Sequence, residues 1–131
     1  DIFSDISAAL GGSLATASPI IESTDGTMLY EAPHGTAHDL YIKYQESGGK
    51  DCHFNSSALI YALGNALETL AAREGNQALL DYSSELKAAL IDTVAQGTIT
   101  GDLKGKTSKP AAEILVDMQG FLDAVESNIG E

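Results

Sequence analysis

Two short apolar runs meeting at Asp25-Gly26 set the firmest limit on how this chain folds. Ile20-Ile21-Glu22 and Met28-Leu29-Tyr30-Glu31 flank that dipeptide, a turn pair suited to a β-hairpin, and Pro33 closes the second run. Elsewhere the apolar spacing is helical. Ile2, Phe3, Ile6 and Leu10 repeat at helical intervals and stop at Gly11-Gly12. Leu59, Ile60, Leu63, Leu67 and Leu70 form one face, capped by Ser56 or Ser57 and broken at Glu74-Gly75-Asn76. Leu79, Leu86, Leu90, Ile91 and Val94 form the next, ending at Gly97, and Ile114, Met118, Phe121, Leu122, Val125 and Ile129 the last. Residues 34–55 read as a polar loop, and Thr98–Leu103 as a short extended piece. A single hairpin is marginal in water, so its partners are expected in missing chain or in another subunit. The pattern therefore predicts a helix-rich α/β piece that is not a complete independent fold.

The 131 residues suffice for one domain and not for two, so residues 1–131 are read as one segment. Nineteen acids against seven basic residues give a net charge of −12. That charge repels phosphates, which argues against nucleic acid and anionic membranes as partners. Cys52 is the only cysteine, so no internal disulfide can form. No run has the length and apolarity of a membrane span, and the first residues carry no basic-then-apolar signal. These features lead us to expect an intracellular protein, and a start at Asp1 within a helical pattern suggests a fragment, a processed product or a trimmed chain.

Asp1 and Asp5 stand at i and i+4, so a helix would project both carboxylates from one face. Mg²⁺ and Mn²⁺ favour such oxygen pairs, completed by substrate and water. Two acids welcomed by a helix N-terminal dipole are an equally physical reading of the spacing. At His34-Gly35-Thr36, glycine permits close backbone approach to a ligand and histidine can stack or hydrogen-bond. A plain hairpin exit would look the same. Asn55 is either a ligand contact or part of a helix cap.

Taken in order, these runs resemble the isocitrate and isopropylmalate dehydrogenase family. Asp1-Ile2-Phe3-Ser4-Asp5 is similar to its D-x-x-S-D segment, Glu31-Ala32-Pro33-His34-Gly35-Thr36-Ala37 to E-x-x-H-G-[ST]-A, Asn55-Ser56 to its Asn-[PS] helix start, and Gly97 to Leu103 to G-x-x-T-x-D-L/I. The DGT turn and the ending Gly120 to Val125 look closer to the C-terminal part of the eukaryotic-type, homodimeric isocitrate dehydrogenases. The resemblance implies that Asp1 and Asp5 bind Mg²⁺ or Mn²⁺ with an aspartate from a neighbouring subunit. It implies that His34, Gly35, Thr36, Ala37, His38, Asp39 and Asn55 bind the adenosine half of a nicotinamide dinucleotide. Asp102 is left aside as an outer contact or a structural turn acid.

The implied activity is oxidative decarboxylation of isocitrate to 2-oxoglutarate. No catalytic residue is assigned, because Tyr30, Tyr41, Tyr44, Tyr61 and Tyr82 fall outside the family's catalytic positions. Where NADP-dependent relatives carry an arginine and a histidine, this chain has Asp39 and Leu40, so NAD is expected over NADP. The expected partners are isocitrate or a related hydroxy acid and either a second copy or the N-terminal part of the enzyme. The expected compartment is the cytoplasm or the mitochondrial matrix, and the piece alone is expected to be inactive. Other β-substituted malates (isopropylmalate or homoisocitrate) and a non-catalytic nucleotide-binding product of a split gene are the alternatives.

Overall fold

The computed structural model describes residues 6, 20–32, 38–50, 54–105 and 113–130. Among them are strands β1 (Ile20–Glu22), β2 (Met28–Tyr30), β3 (Thr98–Ile99) and β4 (Ile114–Leu115). Helices are α1 (His38–Glu46), α2 (Ser57–Glu74), α3 (Gln77–Ala95) and α4 (Met118–Ser127), with a 3₁₀ turn at Gly101–Leu103. The helix-rich α/β character expected from the periodicity is what the fold shows. The chain forms two compact units, Asp1–Gly35 with Ser57–Lys87, and Thr36–Ser56 with Ala88–Glu131.

In the first unit, β1 and β2 pair antiparallel with Ile21 opposite Leu29, as the Asp25-Gly26 signal requires. Gly26 sits at φ +83° and its amide donates to the Ser23 carbonyl, while the Asp25 carboxylate accepts from the Ser23 hydroxyl and the Thr27 amide. β2 lies against α2, and Arg73 in the last turn of α2 donates to the Gly26 carbonyl at 2.9 Å. α2 stops where Gly75 turns left-handed at φ +65°, and the Asn76 amide closes back on the Ala71 carbonyl. This is the glycine-terminated helix end that the sequence signals. Asn76 then accepts from the Leu79 amide and starts α3.

The face expected for α2 is buried only in part, at Ile60 and, by half, at Leu67. Ile60, Ala62, Gly64 and Ala71 are buried, whereas Leu59, Leu63 and Leu70 are exposed. Small residues line the buried side because α3 approaches closely there. A Cβ on Gly64 would stand 2.7 Å from the Lys87 Cγ. Lys87 in turn pairs with Glu68 at 2.5 Å.

The second unit centres on Phe121 and Ile99, both fully buried, with Ala89, Leu90, Thr93, Thr100 and Val125. β3 and β4 form a two-residue parallel pair, Thr98 with Ile114 and Ile99 with Leu115. Spacing from Met118 predicts Ile114 as part of the last helix. It belongs to a strand instead, because Asp117 caps α4 by accepting from the Gly120 amide at 2.8 Å. Residues 38–46, expected as part of a polar loop, form α1. None of its residues is buried, and Leu40, Tyr41, Ile42 and Tyr44 are too crowded to form a stripe. Helical periodicity is a record of burial, so an unburied helix leaves little of it.

Candidate functional site

The residues expected to serve a metal ion and a dinucleotide divide between described and undescribed segments. Asp1, Asp5, His34, Gly35, Thr36 and Ala37 lie outside the described residues. Among the described residues, no group of three or more His, Cys, Asp or Glu side chains could hold a metal ion. His38, Asp39 and Asn55 are placed, all within the second unit.

His38 and Asp39 form the first turn of α1, and both are exposed. An acid there is stabilised by the N-terminal end of the helix dipole and by water. The far end of α1 carries Lys43 and closes on Gly48 and Gly49, both with positive φ, through the Gly48 amide to Gln45 and the Gly49 amide to Tyr44. Glycine is required in that exit because the left-handed conformation is costly with a Cβ.

Asn55 is half-buried just before α2, and its side chain is ordered from a distant point in the sequence. Its Nδ2 donates to Asp102 Oδ2 at 2.9 Å, and Thr100 Oγ1 donates to Asp102 Oδ1 at 2.6 Å. Thr100 is fully buried and extended, at φ −83° and ψ 161°, immediately before the 3₁₀ turn that carries Asp102. Asp102, set aside in the sequence reading, is therefore the residue that the fold brings to Asn55. The signal was present in Thr100-Gly101-Asp102, but nothing local could show which side chain 47 positions away it would meet. Beside Asn55, the Ser56 hydroxyl is buried without a hydrogen-bond partner among the described residues.

Comparison with known proteins places these residues in a family context. The isocitrate dehydrogenase of Arabidopsis thaliana, named as NADP-dependent and chloroplastic/mitochondrial, is 32% identical over 98% of this chain and 27% of its own length. The human mitochondrial NADP enzyme is 32% identical over 98% of this chain and 29% of its own. The mitochondrial NADP enzyme of Saccharomyces cerevisiae is 35% identical, with 98% and 30% covered. The chain thus spans less than a third of these relatives and corresponds to their C-terminal part. The mitochondrial compartment in their names is one of the two expected, cytoplasm or mitochondrial matrix, and no described helix is long and apolar enough to cross a membrane.

The expected preference for NAD is overturned by these relatives, whose names specify NADP. The physical reason lies in the setting of Asp39. A carboxylate repels a 2′-phosphate strongly only when it is buried against it, whereas Asp39 is exposed in the first turn of α1, where dipole and solvent screen its charge. A profile of the isocitrate/isopropylmalate dehydrogenases matches residues 1–125. The chain belongs to the isocitrate/isopropylmalate dehydrogenase family.

Proposed function

We propose that this chain is the C-terminal part of an NADP-dependent isocitrate dehydrogenase, which oxidises isocitrate and releases CO₂ to give 2-oxoglutarate. The observation that carries the reading is the match of 98% of the chain to NADP isocitrate dehydrogenases of a plant, an animal and a yeast. When bound, the dinucleotide accepts the hydride and a divalent metal supplies Lewis-acid polarisation of substrate oxygens. The roles proposed for this chain's own residues are holding the metal and the adenosine half of the dinucleotide. Asp1 and Asp5 offer a donor set of hard carboxylate oxygens, which fits Mg²⁺ or Mn²⁺. Residues His34, Gly35, Thr36 and Ala37 would wrap the adenosine half of the dinucleotide, and Asn55 would meet the base.

At the adenosine 2′ position the fitting group is His38, at the positive end of α1, with Asp39 turned to solvent. The proton-transfer residues and the carboxylate-binding arginines of the reaction are not assigned to this chain. A homodimer or docking on the N-terminal part of the enzyme is supported by the exposure of Leu59, Leu63 and Leu70 on α2 and of Ile20, Ile21 and Leu29 on the hairpin.

The deciding experiment is kcat/KM of the intact enzyme with isocitrate, isopropylmalate and homoisocitrate, each with NADP and with NAD. The expected result is turnover of isocitrate with NADP as the better cofactor. Asp39→Ala should change the NADP-to-NAD ratio by less than about fivefold, since exposed charges are largely screened. Turnover of isopropylmalate in preference to isocitrate would refute the substrate assignment, and a large shift in the ratio would refute the placement of Asp39.

A further inference from the structure

We infer that Asp25 is a site of spontaneous aspartyl isomerisation, and that the folded hairpin turn holds the reaction in check through Ser23 and Thr27. Asp25-Gly26 is the single Asp-Gly or Asn-Gly pair in the chain. Such a pair is chemically vulnerable because glycine has no side chain to shield its backbone nitrogen from the preceding carboxyl. The surroundings are open as well. Asp25 is exposed, and a Cβ placed on Gly26 would meet nothing within 4 Å, so water reaches both residues. The reaction needs no other partner. The Gly26 nitrogen bonds to Asp25 Cγ, and the amide proton and the carboxylic acid hydroxyl leave together as water, closing a succinimide ring. Water then opens the ring at Cγ, restoring aspartate, or at the Asp25 main-chain carbonyl carbon, breaking its bond to the Gly26 nitrogen. The second route leaves the chain running through Cβ and Cγ, with the former carbonyl as a free carboxylate.

The turn opposes each requirement of the first step. Attack requires Cγ to swing over the Gly26 nitrogen, whereas Asp25 Oδ1 accepts from the Ser23 hydroxyl and from the Thr27 amide at 2.9 Å. The nitrogen must give up its proton, but the Gly26 amide donates it to the Ser23 carbonyl at 3.0 Å. The acid form of the carboxyl is the reactive one, because hydroxide leaves more readily than oxide. The Ser23 hydroxyl, and after it Thr27, lower the carboxyl from 3.8 to about 2, so that form is scarcer still. Ser23 enters all three restraints. Isomerisation would add one carbon to the main chain inside a turn that sets Ile21 opposite Leu29 and presents the Gly26 carbonyl to Arg73 at 2.9 Å. A hairpin lengthened in this way loses the register that its turn fixes.

The test follows isoaspartate over weeks at neutral pH in the intact protein, by isoaspartyl methyltransferase labelling and by electron-transfer mass spectrometry of its peptides. The same protein in urea gives the rate of the open chain. Among the aspartates of this chain, isoaspartate should accumulate first at Asp25. It should form about tenfold or more slowly in the native protein than in urea, the weight of two hydrogen bonds. Ser23→Ala should raise the native rate about 3–10-fold, the weight of one such bond, and leave the urea rate unchanged. Ser23→Thr keeps the hydroxyl and should stay near the parent. Arg73→Ala loosens the seat of the turn on α2 without touching the carboxylate, and should raise the rate by less. Equal native and urea rates, or a Ser23→Ala rate equal to the parent's, would overturn the inference. So would equal acceleration in Ser23→Ala and Arg73→Ala, because opening of the whole hairpin, and not the partners of the carboxylate, would then set the rate. Earlier isoaspartate at another aspartate of this chain in urea would overturn the choice of site.

Discussion

Gly64 on α2 faces Lys87 on α3 so closely that a Cβ at position 64 would lie 2.7 Å from the Lys87 Cγ and 3.2 Å from its Cδ. The Lys87 stem cannot simply step aside, because its ammonium pairs with Glu68 at 2.5 Å and stands 6.0 Å from the centre of the Tyr61 ring. Alanine at a mid-helix glycine normally gains about 1 kcal/mol of helix propensity. Overpacking at a close helix contact costs about 1–3 kcal/mol. The second effect should win. Gly64→Ala is expected to lower stability by about 1 kcal/mol in urea titration, and Lys87→Ala in the same chain should recover most of it. A more stable Gly64→Ala single variant would show that the two helices separate at little cost.

The C-terminal end of α4 is fastened to α3 through a buried hydroxyl. Asn128 Nδ2 donates to Thr93 Oγ1 at 2.8 Å, and that hydroxyl donates to the Ala89 carbonyl at 2.7 Å. Thr93→Val keeps the volume and removes both bonds, leaving the Asn128 amide against an apolar surface. A loss of about 1–2 kcal/mol is expected, as for other buried hydrogen bonds broken on one side. Thr93→Val combined with Asn128→Ala should cost less than the sum of the two single changes. Strict additivity would mean that the bond contributes nothing.

The hairpin turn makes stability depend on acid. The Ser23 hydroxyl, then the Thr27 amide and hydroxyl, hold the exposed Asp25 carboxyl below its usual 3.8, at about 2. The ionised form is thus favoured in the folded turn, so its contribution is fully present above the usual value. It is lost as the pH falls through about 2. A carboxyl-carbon NMR titration should place the Asp25 midpoint near 2, and Ser23→Ala should raise it. A midpoint near 3.8 in the parent would remove the Ser23 contact from the turn.

The proposed role of Asp1 and Asp5 as metal ligands is tested by Mn²⁺ binding. Mn²⁺ should bind the intact enzyme more tightly with isocitrate present, since the substrate completes the coordination shell. Asp5→Asn should weaken Mn²⁺ by about 10-fold or more, the loss produced even by disturbing the outer partner of a ligand. Its thermal unfolding should stay close to that of the parent. Mn²⁺ dependence identical to the parent's would exclude both aspartates from the site.

Local punctuation and kinship are written in runs of adjacent residues. Asp25-Gly26 sets the turn, Gly75-Asn76 ends one helix and starts the next, and both appear in the fold where the residues put them. Such signals are legible because a positive φ or a cap is decided by a few adjacent residues. The family motifs were legible for the same reason, being short runs in a fixed order. The setting of Asp39 was not. Its residue type suggested a cofactor contact, whereas its exposure in the first turn of α1 depends on a helix whose unburied residues carry no periodic stripe. Tertiary structure alone chose Gly64 and Ala71 over Leu63 and Leu70 for the buried side of α2, because close helix approach favours small residues. It also brought Asp102 to Asn55, and it made Ile114 a strand residue beside Thr98. Each of these is a pairing between distant positions, and a linear pattern records which residues can be buried or hydrogen-bonded but not which partner the folded chain delivers to them.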